Sequence, residues 1–317
     1  MRDRFPAIDP YINGMLDVGD GHQLYWECCG NPDGKPALYL HGGPGSGCTP
    51  GHRRFFDPAA YRVVLFDQRG CGRSRPLASE ADADLRNNTT AHLIADIEAL
   101  RRHHGVEHWT ILGLSWGTTL GLAYAQTHPQ RVRGLVLAAV TTTSRREVEW
   151  ITRDVGRIFP REWDRFAAAV PDTLRHLSLV DAYATLLFDA DRAVRERAAR
   201  EWCAWEEAHV SFAPNHRPNP RYDDSDFRLR FARLVTHYWR HAAFLEEGQL
   251  LRDAPILDGV PGMLIHGRYD VSTTLETAWC LSQRWRTSRL NVIDDSGHGD
   301  GDTFLAVIGD SLTALAA

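Results

Sequence analysis

Gly113-Leu114-Ser115-Trp116-Gly117 reads G-x-S-x-G, set between the apolar run Trp109-Thr110-Ile111-Leu112 and a helical pattern from Trp116 to His128. Chance would give such a pentamer only about 0.1 times in a chain of this length, so its flanks decide what it means. The run before it has the length and bulk of a buried strand, while Leu120, Ala123 and Tyr124 recur at helical spacing until Pro129 ends the pattern. A sharp turn between a strand and a helix lifts a serine hydroxyl above the sheet edge and aims the following amide at the same point. Ser115 is therefore the candidate nucleophile.

A serine in such a turn needs a base and an orienting acid, and here both follow strand-like runs in the order serine, acid, histidine. Met263-Leu264-Ile265-His266 leads into Gly267-Arg268-Tyr269-Asp270, and Leu290-Asn291-Val292-Ile293 leads into Asp294-Asp295-Ser296-Gly297-His298-Gly299. Among 15 histidines and many carboxylates, only Asp270 and His298 combine that order with a strand end and flanking glycines. Asp270 is the expected orienting carboxylate and His298 the general base.

Charge developing on an attacked carbonyl oxygen needs two fixed N–H donors. One is expected at Trp116. The other is expected at Gly43, because Ala37-Leu38-Tyr39-Leu40 reads as a strand ending in His41-Gly42-Gly43-Pro44-Gly45-Ser46-Gly47, where Gly42 and its neighbours let the backbone approach a substrate closely. The same loop lacks the Lys-Ser/Thr ending of a phosphate-binding loop and does not match G-x-G-x-x-G, which sets nucleotide binding aside.

Strand and helix patterns alternate from Ala37 to Ala139, give way to nearly continuous helical patterning from Arg145 to Leu251, and alternate again from Gly262. The expectation is an α/β fold with a mostly parallel, doubly wound sheet. Residues 1–140 and 254–317 would form the catalytic domain and residues 141–253 a helical cap. Met15-Leu16-Asp17-Val18 and Gln23-Leu24-Tyr25-Trp26 around Gly19-Asp20-Gly21 suggest a hairpin, and Asn215 to Asp224, beside Pro214, suggests a loop within the cap.

A net charge of −5 over 317 residues, with Lys35 as the sole lysine, gives no general attraction to nucleic acid or to an anionic membrane. Met1 to Pro6 precede no apolar core of signal-peptide length, and the stretch from Leu135 to Val140 is too short to span a bilayer. Six cysteines without C-x-x-C spacing read as reduced thiols, so the expected location is cytoplasmic. Cys71 reads as a bystander thiol beside the pocket. His237 and His241 stand four apart, but Tyr238 occupies the place of the glutamate in H-E-x-x-H, so no metal site and no cofactor are expected.

Taken together, His41-Gly42-Gly43-Pro44-Gly45, Asp67-Gln68-Arg69-Gly70-Cys71-Gly72-Arg73-Ser74, Ser115-Trp116-Gly117-Thr118-Thr119-Leu120 and Gly267-Arg268-Tyr269-Asp270-Val271 resemble the prolyl iminopeptidase family of α/β-hydrolases over nearly the whole chain. The resemblance implies a serine exopeptidase that releases an N-terminal residue, usually proline, through an acyl-enzyme beneath a helical cap. In that family two cap glutamates hold the substrate's free amine. Trp202-Cys203-Ala204-Trp205-Glu206 is similar to the segment bearing the first, which implies that Glu206, with Trp205 beside it, meets the substrate. Val235 takes the place of the second, with Glu207, Glu246 and Glu247 as possible substitutes. The run Thr141-Thr142-Thr143 suggests a more polar pocket than the family's, and Glu147 and Glu149 read as a solvated helical face. The expected partner is a small peptide; the rival is a small-molecule ester or amide, which the valine and the threonines would permit.

Overall fold

The structure is a computed structural model describing residues 5–210, 218–299 and 301–316. Its centre is an eight-stranded sheet of order β1-β2-β4-β3-β5-β6-β7-β8. The strands are β1 (Ile12–Asp17), β2 (Gln23–Gly30), β3 (Lys35–Leu40), β4 (Tyr61–Phe66), β5 (Trp109–Leu114), β6 (Val132–Ala138), β7 (Gly262–Gly267) and β8 (Ser288–Ile293). β2 runs antiparallel to both β1 and β4, and the remaining pairs are parallel. The expected hairpin is present, with Asp17 opposite Gln23.

Both faces of the central strands are covered, so successive side chains enter different cores. Leu38, Leu40, Val64, Ile111, Leu135, Leu137 and Leu264 pack on one face with residues of α1 (Thr90–His103), α2 (Trp116–Thr127) and, later in the chain, α9 (Leu275–Arg284). Their alternates Ala37, Tyr39, Val63, Leu65, Leu112, Val136 and Ile265 pack against Phe304, Ile308 and Leu312 of the last helix, α10 (Asp302–Ala316). This is the doubly wound α/β-hydrolase architecture.

Between β6 and β7 the chain leaves the sheet and forms α3 (Arg145–Thr152), α4 (Pro160–Ala168), α5 (Leu179–Leu187), α6 (Arg192–Val210), α7 (Ser225–Arg240) and the single turn α8 (Gln249–Arg252). The helices α3 to α7 enclose a core of their own, built on Phe166, Tyr183, Trp202, Trp205, Phe231 and Val235. Of the expected loop at Asn215 to Asp224, the part through Arg217, together with Pro214, lies outside the described residues. The remainder contains one 3-10 turn, Pro220–Asp223. Among the described residues no helix is long and apolar enough to cross a membrane.

Candidate active site

Ser115 occupies the junction of β5 and α2 with φ 55° and ψ −121°, a conformation costly for any residue with a side chain. Its neighbours hold it there. Ser115 N–H donates to the Ala138 carbonyl at 2.9 Å, and Thr118 N–H donates to the Ser115 carbonyl at 2.7 Å. A Cβ on Gly117 would overlap the Leu40 carbonyl oxygen, and one on Gly113 the Gly117 carbonyl. The two glycines of the motif are thus required by close backbone packing.

His298 Nε2 stands 3.0 Å from Ser115 Oγ, and His298 Nδ1 stands 2.8 Å from Asp270 Oδ2. The loops carrying Asp270 and His298 meet at Gly267, where a Cβ would overlap the Gly297 carbonyl oxygen. Asp270 Oδ1 accepts the backbone N–H groups of Ser272 and Thr273 at 3.0 and 2.9 Å, and Oδ2 accepts the Thr273 hydroxyl at 2.6 Å. Burial would raise the Asp270 pKa, but the His298 charge and hydrogen bond, with His266 and Thr273, bring it down to about 2. An ionised carboxylate on Nδ1 keeps Nε2 directed at the serine as a proton acceptor.

Gly43 and Trp116 both border the cavity that contains Ser115 and His298. As the first residue of α2, Trp116 has an N–H without an intrahelical acceptor. The glycine loop is pinned to the Asp67-Gln68-Arg69-Gly70 segment: Gln68 N–H donates to His41 Nε2 at 3.1 Å, Gln68 Nε2 donates to the His41 carbonyl at 3.1 Å, and Gln68 Oε1 accepts Trp116 Nε1–H at 2.8 Å. One glutamine therefore ties together the two segments expected to supply the donors, a role the sequence motif alone did not reveal. Gly42 borders an adjoining cavity that shares Gly43, Ser115, Glu206 and His298 with the first.

Glu206 reaches the same cavity from α6 and is 7 % exposed. Burial, the largest cause, pushes its carboxyl up to about 7, against the Trp202 hydrogen bond and the His298 charge. Trp202 Nε1–H donates to Oε1 at 3.2 Å. His209, unremarked in the sequence, lines the cavity one turn further along α6. Val235 is fully buried in the cap core. It lies midway between Phe231 and Trp239, four residues from each on α7, and those two border the adjoining and the first cavity.

Three expectations need correction. Trp205 is not on the wall of either cavity: its ring stacks on Phe166 and packs against His209, and Nε1 donates to the Ile151 carbonyl, so it supports the cavity from behind. Glu147 is no solvated face residue. It closes a capping box with Ser144 and accepts from Thr142 and Thr277, while Glu149 is exposed and paired with Arg153. Cys71 is completely buried, its thiol proton donated to the Gln68 carbonyl and its pKa raised by desolvation. Thr141 and Thr143 of the threonine run border the cavity with Ser115; Thr141 Oγ1 accepts from Thr143 N–H and Thr143 pairs with Thr119, while Thr142 donates to Glu147.

The carboxylates considered as substitutes at Val235 are engaged elsewhere. Glu207 accepts Asn219 N–H, Glu246 pairs with Arg252, and Glu247 accepts Arg145 N–H. His237 donates Nε2–H to the Asn88 carbonyl and packs edge-on against His241.

The model of the alpha/beta hydrolase fold matches residues 35–303. The chain is 53% identical over 303 residues to a probable proline iminopeptidase of Streptomyces coelicolor, covering 94% of this chain and 93% of that one. It is 46% identical to the proline iminopeptidase of Xylella fastidiosa strain Temecula1, covering 94% of each, and 41% identical to that of Arabidopsis thaliana, covering 94% of this chain and 77% of the relative. The crystal structure of the proline iminopeptidase of Mycobacterium smegmatis superposes with a TM-score of 0.65 at 21% identity, over 96% of this chain and 99% of that one, which bears on the fold alone. The chain belongs to the proline iminopeptidase family of α/β-hydrolases.

Proposed function

We propose that the protein is a prolyl aminopeptidase-type serine hydrolase that releases an N-terminal proline or similar residue from small peptides. Ser115 Oγ attacks the carbonyl carbon of the first residue while His298 Nε2 takes the hydroxyl proton, and the amides of Gly43 and Trp116 receive the oxyanion. His298 then returns the proton to the leaving nitrogen as the C–N bond breaks, leaving the residue esterified to Ser115. Water, deprotonated by the same imidazole, hydrolyses that ester and restores the serine. Asp270 fixes the imidazole tautomer throughout.

One observation carries the choice of substrate: Glu206 is a buried carboxylate on the wall of the cavity that holds Ser115 and His298. Burial makes its ionised form costly until a cation arrives, and a substrate's N-terminal ammonium is the cation an exopeptidase must recognise. Val148, Ile151 and Trp239 give the same cavity apolar walls suited to a proline ring. The adjoining cavity, bordered by Gly42, Tyr39 and Arg221, takes the rest of the peptide. In this reading residues 141–253 act as the cap and residues 1–140 and 254–317 as the catalytic domain. A cytoplasmic location is consistent with six free cysteines.

The small-molecule esterase reading is not favoured by relatives named as proline iminopeptidases at 41–53% identity. The test is a comparison of prolyl, alanyl and N-acetylprolyl anilides with an uncharged aryl ester. Preference for the free-amine prolyl substrate is expected. Equal or faster turnover of the N-acetylprolyl anilide would refute the exopeptidase reading.

A further inference from the structure

His209 lies three residues beyond Glu206 on α6, is 1 % exposed, and places Nε2 3.6 Å from Glu206 Oε2. Its tautomer follows from counting protons. Ser272 Oγ stands 2.9 Å from the His209 carbonyl oxygen and 2.9 Å from His209 Nδ1. A carbonyl oxygen only accepts, so the single hydroxyl proton goes to it, and Nδ1 must carry a proton and donate it to Oγ. Nε2 is left as a lone pair. It has no hydrogen-bond partner among the described residues. Burial, reinforced by the His298 charge and opposed by Asp270, pushes the ring's pKa down to about 3, so the lone pair persists at neutral pH. A buried acceptor without a donor costs stability, and the hydrolytic steps assigned to Ser115, His298 and Asp270 make no use of it.

We propose that His209 Nε2 is the second acceptor for the substrate's N-terminal ammonium, taking over with a neutral lone pair the place that Val235 leaves without a carboxylate. This rests on the reading of Glu206 as the amine anchor. A protonated N-terminal proline has two N–H bonds diverging at roughly the tetrahedral angle. Acceptors about 2.9 Å from such a nitrogen stand about 4.7 Å apart. The present 3.6 Å separation therefore opens by about 1 Å on binding, a movement within reach of a carboxylate rotation. His209 is held from the other side by Ser272 and by the Trp205 ring, with centroids 5.3 Å apart, so Glu206 is the partner that moves. The site selects a cation with at least two N–H bonds.

The test compares prolyl anilide with N-methylprolyl anilide, whose tertiary ammonium has one N–H, and with an uncharged ester. In wild-type enzyme, His209→Phe and Glu206→Gln, the readout is the ratio of kcat/KM values. His209→Phe keeps an aromatic ring against Trp205 and removes both nitrogens. It is expected to lower the prolyl to N-methylprolyl ratio by about ten- to a hundredfold, the range for a hydrogen bond from a charged donor. Should that variant fail to fold, His209→Ala reads the same ratio. An unchanged ratio in a folded variant overturns the role of His209. Glu206→Gln tests the reading beneath it: a loss confined to the two ammonium substrates supports the amine anchor, whereas an equal loss on the ester refutes the anchor itself. A selective Glu206→Gln with an unchanged ratio in the His209 variant overturns only the present inference.

Discussion

Glu206→Gln should make the protein more stable at neutral and mildly alkaline pH while removing its anchor for amines. In the folded chain the carboxyl has its pKa raised from 4.5 to about 7, chiefly by burial. Between these values the native state binds the proton that the unfolded state has lost, so stability falls as pH rises. The penalty is absent below about 4.5, grows through the interval and is complete above about 7. At 1.36 kcal/mol per pH unit, the 2.5-unit interval corresponds to about 3 kcal/mol. The introduced amide is neutral at every pH and can still accept from Trp202 Nε1–H. With an unfolding entropy of about 2.1 cal/mol/K per residue, 3 kcal/mol corresponds to a rise in Tm of about 4 °C near pH 8. Calorimetry of both proteins at pH 8 and at pH 4.5 checks this: a gain at pH 8 that vanishes at pH 4.5 is expected. A gain of equal size at both pH values, or none at pH 8, would refute the argument that the buried charge is the source.

Three further outcomes follow from the same geometry. On acidification from pH 8, kcat/KM for prolyl anilide should fall through about pH 7 more steeply than for an uncharged ester, because Glu206 must be ionised to hold the ammonium; parallel profiles would contradict this. Gly117→Ala should abolish soluble expression or activity, since its Cβ would overlap the Leu40 carbonyl oxygen, and near wild-type Tm and turnover would contradict the packing argument. Under native conditions Cys71 should react with a bulky maleimide far more slowly than the half-buried Cys280, as peptide mapping of the adducts can show.

The arrangement of Ser115, His298 and Asp270 was legible because short-range constraints mark it. Gly113, Gly117 and Gly267 are required where backbone carbonyls crowd the chain, and Asp270 and His298 follow strand ends that any parallel sheet brings to one edge. What escaped depends on contacts between distant segments. His209 is set by Ser272, 63 residues away, and nothing local announces its buried lone pair. Ser144-Arg145-Arg146-Glu147 does carry the capping-box pattern, but the contact that draws Glu147 inward comes from Thr277 on α9. Trp205 was misplaced because one step along a helix turns the side chain by about 100°, so Glu206 faces the cavity and its neighbour faces the cap core. Cys71 follows a strand as a site residue would, yet it is sealed between His41 and Gln68.

Labelling with a fluorophosphonate, followed by peptide mapping, tests the central assignment most directly. The reagent should form one adduct, on Ser115, at a rate that falls together with prolyl anilide turnover in His298→Ala, because the same imidazole activates the serine for both. Ser115→Ala should remain folded, unlabelled and inactive. An adduct on another residue, or undiminished prolyl anilide turnover in Ser115→Ala, would contradict Ser115 as the nucleophile and with it the hydrolytic mechanism.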